Sequence, residues 1–219
     1  MGSSYNVFNW LLTNSKKSDG YRFRIFFKSL YYKLKYGKYI FSYPNTQLSG
    51  IENIFIKKTL HIGTVAHELN HKKDLTKLNV QGKLFINSEF YHIARGCRID
   101  VGKDAEMKIG TGGFINPFTN IIVRNGLTIG NNVYISWNCQ VLDEDYHHVE
   151  YTGKKVSDKK IKIGSNVWIG TGVSIYQGTE IADGCVVASN AVVRGKFNIP
   201  NCIIGGNPAK IIKENIAWK

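Results

Sequence analysis

The stretch Leu142-Asp143-Glu144-Asp145-Tyr146-His147-His148-Val149-Glu150 gathers Asp143, Asp145, His147, His148 and Glu150. Histidine titrates near neutrality, so it can take the proton of a hydroxyl and return it to a leaving group. A carboxylate that holds the proton of one ring nitrogen turns the other nitrogen toward that hydroxyl. The chemistry such a set suits is acyl transfer. An alcohol attacks a thioester carbonyl once its proton has somewhere to go, and a dipole aimed at the carbonyl oxygen stabilises the tetrahedral intermediate. Either Asp143 or Asp145 can serve as the orienting carboxylate.

A second constellation, His67-Glu68-Leu69-Asn70-His71, fits the H-E-x-x-H pattern. On a helix that pattern puts two zinc ligands on one face with a glutamate base. No His-x-x-Gly-x-x-His completes a metzincin site, and too few residues precede the repeats to build a protease domain. No metal is expected. No phosphate-binding glycine loop of the Rossmann or Walker kind is visible.

The elements that must position the histidines are set by a repeat. From Ile163 the chain reads IGSNVW, IGTGVS, IYQGTE, IADGCV, VASNAV, VRGKFN, with an aliphatic residue at 163, 169, 175, 181, 187 and 193. A compact residue stands four places after each of the first five, at Val167, Val173, Thr179, Cys185 and Ala191. A period of six is neither the 3.6 of a helix nor the alternation of a half-buried strand. It suits short strands and tight turns, each hexad making one wall of a triangular prism and each wall a parallel sheet. Upstream the pattern continues with shifts of register at Ile93, Ile99, Ile109, Ile115, Ile121, Ile129, Ile135 and Val141. Cys97, Cys139 and Cys185 fall in the compact column, which makes them packing residues. The hexads stop for 21 residues between Val141 and Ile163, and this break holds the histidines. A solenoid can extrude a loop without disturbing its coils.

These hexads resemble the bacterial hexapeptide-repeat acyltransferases, in the branch similar to polysaccharide O-acetyltransferases, over roughly residues 80 to 213. Asn166-Val167-Trp168-Ile169-Gly170 is similar to the family's coil entry after its catalytic loop, and Gly205-Gly206-Asn207-Pro208-Ala209-Lys210 to its closing signature. The resemblance implies an all-β, left-handed parallel β-helix, a short C-terminal helix, and a homotrimer with the donor between subunits. The segment 143–149 resembles the family's Asp-x-Asp-x-His-x-aliphatic, which selects His147 as the base over His148. By resemblance Asn116 stands near the acceptor hydroxyl, and Tyr146 and His148 are expected beside it. Trp168, Thr171 and Ser189 would line the thioester and pantetheine arm of acetyl-CoA, and Arg194, Lys210 and Lys213 would meet its phosphates.

The formal net charge is +13, and residues 1–80 carry 13 Lys and Arg against 4 Asp and Glu. Residues 21–40 hold six Lys or Arg, eight Phe or Tyr and no acid. Phe23, Phe26, Leu30 and Leu34 stand near helical spacing, which predicts an amphipathic helix with cationic flanks. It can lie on an anionic membrane, attract an acidic polysaccharide, or cap the open end of the coil. No nucleic-acid module accompanies the charge. The longest apolar runs fall short of a membrane span and no signal segment opens the chain, so a cytoplasmic protein is expected, with the inner membrane face as a peripheral site. The four dispersed cysteines fit that compartment.

These readings divide the chain into a helical extension (1–50), a coil domain (51–204) with its loop at 142–162, and a closing turn with helix (205–219). The function expected is acetyl transfer from acetyl-CoA to a saccharide hydroxyl in capsule or surface-polysaccharide synthesis, on an acidic or lipid-linked acceptor. An N-acetyltransferase on an amino-sugar nucleotide is the near alternative. A non-catalytic β-helix that binds membrane or glycan is the alternative of another class.

Overall fold

A computed structural model describes residues 22–65, 70, 71, 73–147, 152 and 158–219. The hexads form three sheets of nine, seven and seven strands, called walls 1, 2 and 3 in the order the chain visits them. Strands within each wall are parallel, apart from the last pair of wall 1. Ile163 lies on wall 3, Ile169 on wall 1, Ile175 on wall 2, and the next three aliphatic residues repeat that order one coil higher. All six point inward and none is more than 3% exposed. Removing each such side chain from water contributes about 1.5–3 kcal/mol, so the stacked columns are the main stabilising element.

The corners turn through left-handed residues. At the corner from wall 3 to wall 1, Asn132, Asn166 and Asn201 have φ between 53° and 54°, a conformation asparagine tolerates better than most residues. The four cysteines are free and buried, with Cys185 and Cys202 sulfurs 3.4 Å apart.

The coil begins earlier than position 51. Tyr39–Ser42 pairs with Thr59–Thr64 on wall 1, and Thr46–Ser49 pairs with Thr76–Val80 on wall 2. These first coils escape the hexad rule because their core residues are unevenly spaced: Ile40 and Leu48 stand eight apart, and Leu78 comes 18 residues after Leu60. Before them runs helix α1 (Arg22–Tyr36). Tyr32 enters the central core and Tyr36 packs against it, while Ile25 packs with Phe41 and Tyr43. The opposite stripe of α1, Phe23, Phe27, Leu30 and Leu34, is 40–78% exposed.

The C-terminal helix is not formed. Ala209–Lys213 is instead a strand, antiparallel to Ile203–Gly206 across a turn that contains the cis Asn207–Pro208 bond. Ile211 and Ile212 favour the extended backbone, and the last rung of wall 1 offers an open ladder that a one-turn helix lacks. The chain then folds back over wall 1. Trp218 stands 5.8 Å from the Tyr134 ring and 6.3 Å from that of Trp168, and its Nε1 donates to the Asn166 carbonyl at 3.1 Å.

Candidate active site

The loop leaves wall 2 after Gln140–Leu142 and rejoins wall 3 at Ile161–Ile163, so it hangs from the edge between these walls. Its root is Asp143, 1% exposed. One carboxylate oxygen accepts the Arg124 N–H at 2.6 Å, and the other accepts those of Asn125 and Gly126 at 2.8 and 2.7 Å. Asn125 Nδ2 donates back to the Asp143 carbonyl at 2.8 Å. Asp143 therefore ties the loop to the turn of the coil below, a positioning task rather than the orientation of an imidazole.

Glu144 closes the neck. Lys159, at the far end of the loop, donates to both its oxygens at 2.8 and 2.7 Å. That ammonium group, with help from Asn125 and the Tyr146 N–H, holds the Glu144 carboxyl down to about 2. The pair was missed in the sequence because partners 15 residues apart across a loop carry no periodic signal.

Asp145 is exposed, accepts a hydrogen bond from Gln177 Nε2, and lies 3.6 Å from Arg194. Arg194 thus sits beside the loop, on the wall 2 to wall 3 edge, pairing with a carboxylate. Tyr146 has φ 60° and is 57% exposed, and His147 next to it is exposed. Neither Asp143 nor Asp145 is bonded to the His147 ring. His148 lies outside the described residues, as do His67 and Glu68 of the zinc-like motif. His71 stands in a turn, where its N–H donates to Asp74 at 2.7 Å and its Nδ1 accepts the Lys73 N–H at 3.2 Å.

The other residues expected at the donor and acceptor lie on or beside a different edge. Asn116 follows the wall 1 strand Phe114–Ile115 and begins the turn toward wall 2. Above it, in register, come Ser136, Gly170, Ala188 and Gly205, each N–H from Asn116 to Ala188 donating to the carbonyl of the residue that precedes its neighbour in the coil above, at 2.8–2.9 Å. The wall 1 to wall 2 edge is thus lined by small side chains and backbone. A Cβ on Gly170 would lie 2.7 Å from the Ser189 nitrogen, so the coils pack too closely there for a larger residue. Thr171 is half-buried and Ser189 exposed on the same edge. Trp168 flanks it, 44% exposed, with Nε1 donating to Ser136 Oγ at 3.2 Å. Lys210 and Lys213 project from the terminal strand and are exposed. An edge of small side chains beside an indole is one along which an extended pantetheine arm could lie. Phe118, which periodicity did not single out, holds φ 62° two residues after Asn116, where the coils above have Asn138, Gly172 and Asn190. A bulky residue in that conformation is strained.

Three walls, a histidine loop on one edge and small residues along another are the features of a solenoid transferase. A family model described as bacterial transferase hexapeptide (six repeats) matches residues 160–195. A Klebsiella pneumoniae protein named "Uncharacterized 24.8 kDa protein in cps region" is 41% identical over 197 residues, 89% of this chain and 88% of its own. Among solved structures, a mutant of AntD, an N-acyltransferase from Bacillus cereus in complex with dTDP and coenzyme A, is 17% identical. It has a TM-score of 0.53 and covers 85% of this chain and 88% of its own. The polySia specific acetyltransferase NeuO is 23% identical over 84% of this chain and 78% of its own, at a TM-score of 0.46. The chain belongs to the hexapeptide-repeat acyltransferase family, and its solenoid is the left-handed parallel β-helix.

Proposed function

We propose that this chain transfers an acetyl group from acetyl-CoA to a saccharide hydroxyl, with His147 as general base. The observation that carries the reading is the loop on the wall 2 to wall 3 edge, rooted by Asp143 and Glu144, that presents an exposed imidazole. In the reaction the hydroxyl proton passes to His147 as the oxygen bonds to the thioester carbon. The C–S bond then breaks, and the imidazolium returns the proton to the departing thiolate. Asp145, exposed on the same loop, is the carboxylate that would turn from Gln177 and Arg194 toward the imidazole when the acceptor is bound.

The division of the site supports a homotrimer. His147 and the edge carrying Asn116, Trp168, Thr171 and Ser189 stand apart on one prism, so the loop of one copy would meet that edge of the next. Lys210, Lys213 and Arg194 would meet the donor's phosphates at that junction. The exposed stripe of α1, with its lysines and arginines, supports peripheral contact with an anionic membrane. Unpaired, buried thiols support a cytoplasmic site for the protein. No helix among the described residues is long and apolar enough to cross a membrane.

The cps region in the name of the Klebsiella relative supports a role in capsule or surface-polysaccharide synthesis. The test is the glycan itself, taken from cells with and without the gene. Loss of an alkali-labile acetyl ester in the mutant is expected. Loss of an alkali-stable acetamide would favour N-acetylation, and an unchanged glycan would remove the assignment.

A further inference from the structure

The outer faces of the walls differ in chemistry. Wall 1 presents an aromatic column in register, including His92, Phe114, Tyr134 and Trp168. Wall 2 is mostly amides and hydroxyls, with Lys77 beside Arg98. Wall 3 is basic. Its outer column runs from Phe55 and Phe85 through Lys108, Thr128, Lys162 and Glu180 to Lys196. Two carboxylates stand among these lysines: Glu106 lies 2.5 Å from Lys108, and Glu180 lies 2.9 Å from Lys196 and 3.6 Å from Lys162.

At the lower end of wall 3 is a cavity of about 800 Å³ beneath α1. Lys33, Lys38, Lys57 and Lys58 face it, around the rings of Phe55 and Phe85, stacked 4.9 Å apart. Glu89 answers Lys57 and Lys58 at 3.3 and 3.2 Å, and the balance remains positive. At the upper end, wall 3 receives the returning arm of the His147 loop, so Lys160 and Lys162 stand at its root. Strands in a sheet are roughly 4.8 Å apart, so the four steps from Phe55 to Lys162 span about 19 Å.

We propose that wall 3 is a track for an acidic glycan, a chain with carboxylates on successive sugars, leading from the aromatic cavity to the His147 loop. This rests on the saccharide reading above and names the acceptor class within it. Lysines at every second coil, Lys108, Lys162 and Lys196, match repeated anions along an extended polymer, and the stacked phenylalanines offer an apolar face to a sugar ring. A bilayer fits the track less well. The exposed apolar side chains it would take lie on α1, whereas wall 3 above Phe85 presents lysine, threonine and glutamate.

The test uses the full chain without acyl donor and labelled oligogalacturonate as the probe, with a neutral maltooligosaccharide of equal length beside it. The acidic oligomer should bind, more weakly as salt rises, and the neutral one should not. Lys108→Gln/Lys162→Gln should weaken binding about ten-fold, while the charge-matched Lys77→Gln/Arg98→Gln on wall 2 should stay within about two-fold. Equal binding of both oligomers, or equal loss in both double variants, would overturn the track. So would phosphatidylglycerol vesicles binding through Lys108 and Lys162, which would mark a membrane face. Binding is read without acyl donor and thioester cleavage is read separately with acetyl-CoA, so failure of the track and failure of the acetyl-transfer reading are told apart.

Discussion

Asp143 and His147 are four residues apart and have opposite tasks. Asp143 is buried and accepts three backbone N–H groups, so Asp143→Ala would strand buried donors and lower stability by about 3 kcal/mol, read as a lower urea midpoint. His61 carries a second prediction at this scale. Burial and the neighbouring His92 hold its imidazole down to about 2, against 6.5 when unfolded. Between those values the unfolded chain binds a proton that the folded chain refuses. Its contribution is therefore complete above about pH 6.5 and falls on acidification by about 1.4 kcal/mol per pH unit. Urea midpoints measured from about pH 7 to about pH 5 should show this decline, and His61→Phe, which keeps the stack on Phe41, should flatten it. A decline of equal slope in that variant would assign it to other groups.

At the scale of elements, α1 divides its apolar residues between two faces. Ile25 and Tyr32 are buried, whereas Phe23, Phe27, Leu30 and Leu34 face solvent. Tyr32→Ala should cost about 3 kcal/mol, because it opens a cavity at the end of the core. Leu30→Glu/Leu34→Glu should leave the melting temperature in place and abolish sedimentation with phosphatidylglycerol vesicles. Loss of folding in the second variant would show that the stripe is packed. The helix was legible in its spacing, but not the face it buries, because aromatic residues occupy both. The terminal hairpin was not legible either: Ala209–Lys213 is too short for periodicity to separate strand from helix, and the open rung of wall 1 decides it.

At the scale of the molecule, the six-residue period of 163–193 gave the prism directly, because each aliphatic residue had one place to go. Coils at 39–64 were invisible to that rule, since the eight-residue step from Ile40 to Leu48 and the insertion after Thr64 interrupt it. The histidine loop was legible as the break in the repeat, while its root could be read only in space, where Asp143 meets Arg124, Asn125 and Gly126. The two-edge geometry predicts complementation. Mixed assemblies of His147→Ala chains, whose wall 1 to wall 2 edge is intact, with Ser189→Trp chains, whose edge is obstructed, should regain about a quarter of full activity from two inactive parents. No recovery would place the whole site within one chain. The most direct test of the central claim is release of the coenzyme A thiol when acetyl-CoA and an acidic oligosaccharide are mixed with the unaltered chain and with His147→Ala. The account predicts acceptor-dependent release that falls about a hundred-fold or more in His147→Ala at unchanged melting temperature. Equal release by both proteins would contradict it.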